Sequence, residues 1–95
     1  MRAMEDLTVL CDRIRQLVEH RPAAPADDVE HTLTDGYARA LALEGERLRA
    51  RERVHALAGS ADHVEELRAL KGRLERLDLQ VAELRGLLGA LAGTL

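Results

Sequence analysis

The C-terminal third of the chain carries an apolar residue at every third or fourth position, in strict alternation. The mean spacing of about 3.5 residues keeps one face of an α-helix against a partner helix along its whole length. This leucine ladder consists of Leu67, Leu70, Leu74, Leu77, Val81, Leu84, Leu88, Leu91 and Leu95. It predicts a long helix over residues 62–94 whose ladder face is covered by another helix.

Two more amphipathic segments precede the leucine ladder. Residues 3–20 place apolar side chains on one helical arc and charged side chains on the other, which predicts a first helix. The linker over residues 21–26, RPAAPA, contains both prolines of the chain and ends this helix. A second helix is predicted over residues 27–58, and the turn 59–61 leads into the third. The chain of 95 residues is therefore expected to form a single helical domain, residues 1–95.

Two arrangements can cover the leucine ladder. In the first, the ladder forms a parallel zipper with the same ladder of a second chain, and this pairs Glu66 with Lys71 across the interface. In the second, helix three folds back on helix two of the same chain, about a turn centred near Gly59. The antiparallel register then sets Gly36 opposite Val81. Small residues of helix two face large residues of helix three, as in a close-packed helical seam.

The charged residues beside the seam favour the folded-back arrangement. In its register several flanking pairs join opposite charges and none joins like charges, whereas another register would bring like charges together. The flanking pairs are Arg53 with Glu66, Glu46 with Arg73, Arg39 with Gln80, Glu44 with Lys71, Tyr37 with Asp78, and Glu30 with Arg85. The predicted fold class is therefore all-α: an antiparallel two-helix coiled-coil hairpin with an additional N-terminal amphipathic helix.

Apolar residues remain outside the seam, and they predict a homodimer. Tyr37, Leu41 and Leu48 lie to one side of the seam on helix two, and helix one has an apolar face of its own. Helix one is too short to cover the whole hairpin, so we expect a second copy of the chain to complete a helical bundle. The residues expected at the dimer or partner interface are Leu7, Ile14, Tyr37, Leu41, Leu48 and Leu87.

The amino-acid composition indicates which classes of partner and which cellular compartment are expected. The formal net charge of −3 and the single aromatic residue argue against nucleic-acid binding, because phosphate contacts need clustered cations and base stacking needs aromatic rings. The longest uncharged stretch, residues 86–95, is shorter than the ~20 residues that span a membrane. A single cysteine excludes an internal disulfide and suits a reducing, cytoplasmic compartment. The abundance of Ala, Arg, Leu and Gly is typical of a GC-rich bacterial genome.

One charged residue occupies a core-type position of the seam. Arg47 lies opposite Leu70 in the predicted register, with Arg51 one helical turn further on. One interpretation is a half-buried anion site, in which Arg47, Arg51 and Tyr37 bind a nucleotide-like molecule at a dimer interface. The other is that Arg47 lays its methylene groups along the seam and pairs with Glu44.

The sequence contains no arrangement of residues typical of catalysis. It has no glycine-rich phosphate loop, no Ser-His-Asp candidate and no metal-binding spacing of histidines. We therefore expect no enzymatic activity, no cofactor and no metal site. The predicted function is a protein-interaction and oligomerisation module, such as a small bacterial regulatory adaptor that binds another protein through a helix face. The alternative is a sensor that binds an anionic small molecule through its helix-borne arginines.

Overall fold

The chain is all-helical over the part that its computed structural model describes, residues 5–20 and 23–93. The helices are α1 at Leu7–Glu19, α2 at Ala26–Leu57, a short 3-10 helix at Ala61–His63, and α3 at Val64–Ala92. These described ranges contain no strand. The prediction of an all-α fold with three helices is confirmed for this part of the chain.

Some predicted boundaries fall on residues outside the described ranges. These are residues 3 and 4 at the start of helix one, residues 21 and 22 of the linker, and residue 94 at the end of helix three. The last position of the leucine ladder, Leu95, also lies outside them. Within the described ranges, the 3-10 helix occupies the end of the predicted turn and the first positions of the predicted third helix.

Local interactions explain where the helices begin and end. The Asp6 side chain accepts a hydrogen bond from the Thr8 backbone N–H at 2.9 Å, which caps the N-terminus of α1. Pro25 precedes α2, and Asp27 lies in the first turn, where the helix dipole favours negative charge. Gly59 has a φ of 96°, a left-handed conformation in which the chain leaves α2.

α2 and α3 lie side by side and run in opposite directions. Arg53 pairs with Glu66 at 3.0 Å close to the turn, and Arg73 pairs with Glu46 at 3.2 Å further away. Both pairs are among those that the sequence predicted. The buried core residues of the two helices that join α1 in one cluster are Val29, Leu33, Ala40, Leu43, Leu77, Val81, Leu84, Leu88 and Leu91. The C-terminal half of the leucine ladder is thus buried within its own chain.

Away from the turn, the register of the seam differs from the predicted one. Gly36 packs on Leu88 rather than on Val81, which is two helical turns nearer the start of α3. The 3-10 helix Ala61–His63 lengthens the connection between the two long helices. A shift of seven residues returns the same helix face to the seam, because seven residues make about two turns.

α1 packs against one edge of the α2–α3 pair. Its buried residues are Leu10, Cys11 and Ile14. At the border of this contact Arg13 donates to the Thr32 hydroxyl of α2 at 3.3 Å, and Arg15 pairs with Glu83 of α3. One core is therefore shared by all three helices.

Charged residues interrupt the apolar positions along all three helices. Within residues 5–20 and 23–93, no helix is both long enough and apolar enough to cross a membrane.

Candidate functional site

Three large apolar side chains of α2 are exposed on one face of the helix. Leu41 is 65% exposed, Leu48 53% and Tyr37 39%. Their spacing in the sequence brings all three within about 40° around the helix axis. We call Tyr37, Leu41 and Leu48 the α2 row. Exposed apolar residues that share one face mark interaction sites more often than isolated ones do, so the α2 row is the first candidate site.

The α2 row lies on the side of α2 that α1 leaves uncovered. α1 contacts α2 through Arg13, which donates hydrogen bonds to Thr32 and Asp35. Each residue turns an α-helix by about 100°, so Asp35 and Tyr37 point in nearly opposite directions from the helix axis. The apolar residues that the sequence assigned to a dimer or partner contact on α2 therefore remain accessible in the folded chain.

An ion pair with defined geometry borders the α2 row on the side of α3. Arg85 donates two hydrogen bonds to the Glu44 carboxylate, at 2.6 and 3.4 Å. Its guanidinium carbon lies 5.9 Å from the centre of the Tyr37 ring, within cation–π range. These hydrogen bonds lower the pKa of Glu44 and raise the pKa of Arg85, because they stabilise the charged form of each group.

The other predicted interface residues lie in or against the chain's own core. Ile14 is completely buried by the packing of α1 on the other two helices. Leu7 and Leu87 are half-buried against the same core. A partner cannot reach Ile14 in this fold, so the surface that we consider further is the α2 row.

Arg47, the predicted centre of an anion site, has an acidic partner in the structure. Its Nη1 lies 3.5 Å from Asp78 Oδ1 across the seam. The Tyr37 ring faces the Arg85 guanidinium, and Arg51 is exposed to solvent. An anion at Arg47 would therefore have to compete with the Asp78 carboxylate.

Arg13 is a connecting residue that the sequence patterns did not reveal. Its guanidinium donates to Glu5 Oε2 at 2.6 Å, to Asp35 Oδ2 at 2.8 Å and to Thr32 Oγ1 at 3.3 Å. Thr32 is buried at this contact, so its hydroxyl needs a partner within the protein. These residues share no periodic pattern, and only the packing of α1 on α2 brings them together. The network holds α1 on the edge away from the α2 row.

A shallow cleft of about 540 Å³ lies where α1 leads into α2. His20 and His31 are among the residues that line it. His20 Nδ1 lies 2.7 Å from the Gln16 carbonyl oxygen, and His31 Nε2 lies 3.7 Å from Asp35 Oδ2. No serine, cysteine or lysine is among the residues that line this cleft. Thr32 also lines the cleft, and its hydroxyl accepts hydrogen bonds from the Arg13 guanidinium.

The cysteine of α1 has the environment of a packing residue. Cys11 is buried, and burial raises the pKa of its thiol above the ordinary value of 9.0, with a further increase from the negative charge of Glu83. The raised pKa keeps the thiol protonated at neutral pH. Across the described ranges, no three His, Cys, Asp or Glu side chains are placed to hold a metal ion.

Comparisons with protein-family models, with curated proteins and with solved structures found no match to this chain. Its function is therefore inferred from its own surfaces.

Proposed function

We propose that this chain is a non-enzymatic protein-interaction module that binds a helix of another protein along the α2 row. The observation that carries this proposal is the exposure of Tyr37, Leu41 and Leu48 on one face of α2. Covering a leucine side chain contributes ~1.5–3 kcal/mol, so a partner that buries both leucines gains much of its binding energy there. The first helix of the chain packs on the other edge and does not supply this cover.

A helical partner fits the spacing of the α2 row. The row extends over about three helical turns, roughly 16 Å at 1.5 Å per residue. Its residues recur at intervals of four and seven, which is the spacing that the side chains of a neighbouring helix fill. The Glu44–Arg85 pair beside the row presents both signs of charge, so complementary residues on the partner would set its direction.

The same proposal includes a homodimer. A dimer presents two copies of the α2 row, and two linked sites bind a dimeric partner more tightly than either site alone. A small bacterial regulatory adaptor in the cytoplasm is the class of protein that we propose. The single cysteine and the abundance of Ala, Arg, Leu and Gly support that context.

Capture of partners from a lysate of the source organism tests the α2 row. We expect the wild-type chain to retain a specific protein that the Leu41→Glu/Leu48→Glu variant does not retain. Circular dichroism should show that both chains unfold at the same temperature, so that the loss reflects the surface and not the fold. Val64→Glu charges another exposed apolar residue and is the matched control, which should retain the protein. Titration of the purified partner then measures the loss of affinity directly. A partner that binds the row variant as tightly as the wild type would contradict the proposal.

A further inference from the structure

The face of α3 that points away from α1 and α2 has an exposed leucine among small residues. Leu79 is 73% exposed, a larger fraction than any other large apolar side chain described. A Cβ added at Gly86 or Gly89 would meet no atom within 4 Å, so the single chain has no packing need for either glycine. Each glycine costs ~1 kcal/mol of helix stability relative to alanine. The outer α3 face consists of Gly72, Glu75, Leu79, Ala82, Gly86, Gly89 and Gly93.

The outer α3 face repeats the alternation of three and four residues that the leucine ladder shows on the opposite side of the helix. α3 therefore has a second seam with coiled-coil spacing. Charged residues border this seam. Arg76 and Glu83 lie along one border, and Asp78 and Arg85 lie along the other. On each border the two residues have opposite charge and are one heptad apart.

An antiparallel second copy of α3 satisfies both borders in a single register. On one border, Arg76 then meets the partner subunit's Glu83. On the other border, Asp78 meets the partner subunit's Arg85. Two-fold symmetry repeats each pair, so every border residue faces the opposite charge. In the same register Leu79 meets a small residue of the second copy.

Other arrangements of the same seam bring like charges together. A shift by one heptad in one direction sets Arg76 opposite the partner's Arg76 and Asp78 opposite the partner's Asp78. A shift in the other direction does the same for Glu83 and for Arg85. A parallel arrangement sets Asp78 beside the partner's Glu83. Charge therefore selects one arrangement among those that the repeat allows.

We propose that two copies of this chain associate through the outer α3 face, with their α3 helices antiparallel and Leu79 packed against the partner subunit's Ala82. This inference rests on the homodimer of the proposed function and names its surface. Gly72 comes opposite the partner subunit's Gly89, which lets the two backbones approach closely. The α2 row lies on a different helix and stays free for another protein, although Arg85, which pairs with Glu44 beside the row, borders both surfaces.

Arg76 is the border residue that isolates this contact best. Within the described ranges it has no ion pair, whereas Glu83 pairs with Arg15 and Asp78 pairs with Arg47 in the same chain. A change at Arg76 therefore leaves the ion pairs of the single chain in place.

An exchange of charge tests the register. Sedimentation equilibrium of Arg76→Glu is expected to show a dimer dissociation constant raised about tenfold or more, because two attractive pairs become repulsive. Arg76→Lys keeps the positive charge on the border and leaves the Arg15–Glu83 pair of the single chain in place, so its dissociation constant should stay within about threefold of the wild-type value. Arg49→Glu alters an exposed arginine of α2 and is the control that should leave the dimer unchanged.

A bulky residue in the seam gives a second test. Gly89→Leu should abolish the dimer and keep the helical signal in circular dichroism, since nothing in the chain lies near a Cβ at this position. Gly45→Leu on α2 is the matched control, and its dimer should persist. A dimer that tolerates both Arg76→Glu and Gly89→Leu would overturn this inference and leave the proposed homodimer on another face. A wild-type chain that stays monomeric up to about 100 µM would overturn both this inference and the proposed homodimer. Binding of another protein to the α2 row is tested separately by the capture experiment, so the two failures can be distinguished.

Discussion

The Leu88 side chain packs directly on the backbone of Gly36. Leu88 is completely buried, and a Cβ built on Gly36 would lie inside the contact distance of the Leu88 Cδ2 atom. At this level of the core, only glycine lets α2 and α3 approach so closely. The contact therefore sets both the separation of the two helices and their register far from the turn.

Replacing Gly36 with alanine is expected to lower the free energy of unfolding by about 1 kcal/mol. Overpacking a core costs about 1–3 kcal/mol, and the higher helix propensity of alanine offsets ~1 kcal/mol of that cost. Urea unfolding followed by circular dichroism measures the change. Gly45→Ala on the same helix is the control, because its added Cβ meets only the end of the Arg49 side chain. It should stabilise the chain, and equal destabilisation by both changes would count against the Gly36–Leu88 contact.

Glu44 should make stability depend on pH in the acid range. Its pKa lies below the ordinary value of 4.5, first because Arg85 donates hydrogen bonds to it. The unfolded state then binds a proton more readily than the folded state. The stability that Glu44 contributes is therefore present above about pH 4.5 and is lost as the pH falls through the folded-state pKa.

The variant Glu44→Gln is thus expected to be less stable than the wild type at neutral pH and about equally stable at the acid end of the profile. Urea unfolding over a pH series measures both curves. Glu52→Gln, at an exposed position of the same helix, should follow the wild-type curve. The contrary outcome is that the free energies of unfolding of Glu44→Gln and the wild type differ by the same amount at every pH. That result would show that the ion pair does not stabilise the chain through the ionisation of Glu44.

The Cys11 thiol should react slowly with a disulfide reagent while the chain is folded. The thiol is buried, and burial together with the charge of Glu83 raises its pKa. Because the folded-state pKa is raised, the stability associated with the protonated thiol is present below about pH 9 and falls as the pH rises toward the folded-state value.

Absorbance kinetics with Ellman's reagent, with and without urea, measure this protection. The exposed thiol of Thr8→Cys/Cys11→Ala on the same helix is the control and should react at once. Equally fast labelling of the folded wild-type chain would mean that α1 does not stay packed on the core.

Nucleotides are expected to leave the melting temperature of the chain unchanged. Arg47 is paired with Asp78, and Tyr37 lies beneath the guanidinium of Arg85, so neither presents a vacant site for an anion. A thermal-shift panel of nucleotides measures this, since a ligand that binds the folded state raises the melting temperature by mass action. A rise that grows with nucleotide concentration and disappears in Arg47→Leu would establish the anion sensor instead.

The sequence predicted the helices well because apolar periodicity depends only on local geometry. It predicted the register only near the turn, where Arg53 and Glu66 pair as expected. Further away, Gly36 meets Leu88 instead of Val81, and a heptad repeat cannot distinguish these choices because both residues occupy the same face of α3.

Which apolar residues stay exposed to a partner depends on how the three helices pack on one another. An amphipathic helix has the same pattern whether its own chain or a second chain covers it. Ile14 was therefore expected at an interface, although α1 buries it in the chain's own core. The Arg13 contacts to Thr32 and Asp35 had no signal in the sequence, because they join residues of different helices without any repeat.

The most direct test of this account is the folded state of the variant Leu74→Glu/Leu77→Glu. Leu77 lies in the core that all three helices share, and Leu74, the preceding residue of the ladder, is half-buried. A carboxylate at position 77 would lose its hydration in this core, and a carboxylate at position 74 would replace an apolar side chain that is half-buried. Far-UV circular dichroism and light scattering of the purified variant are expected to show loss of helical signal and an unfolded chain. A variant that remains a folded, helical monomer would contradict the account and show that the ladder served to join two chains.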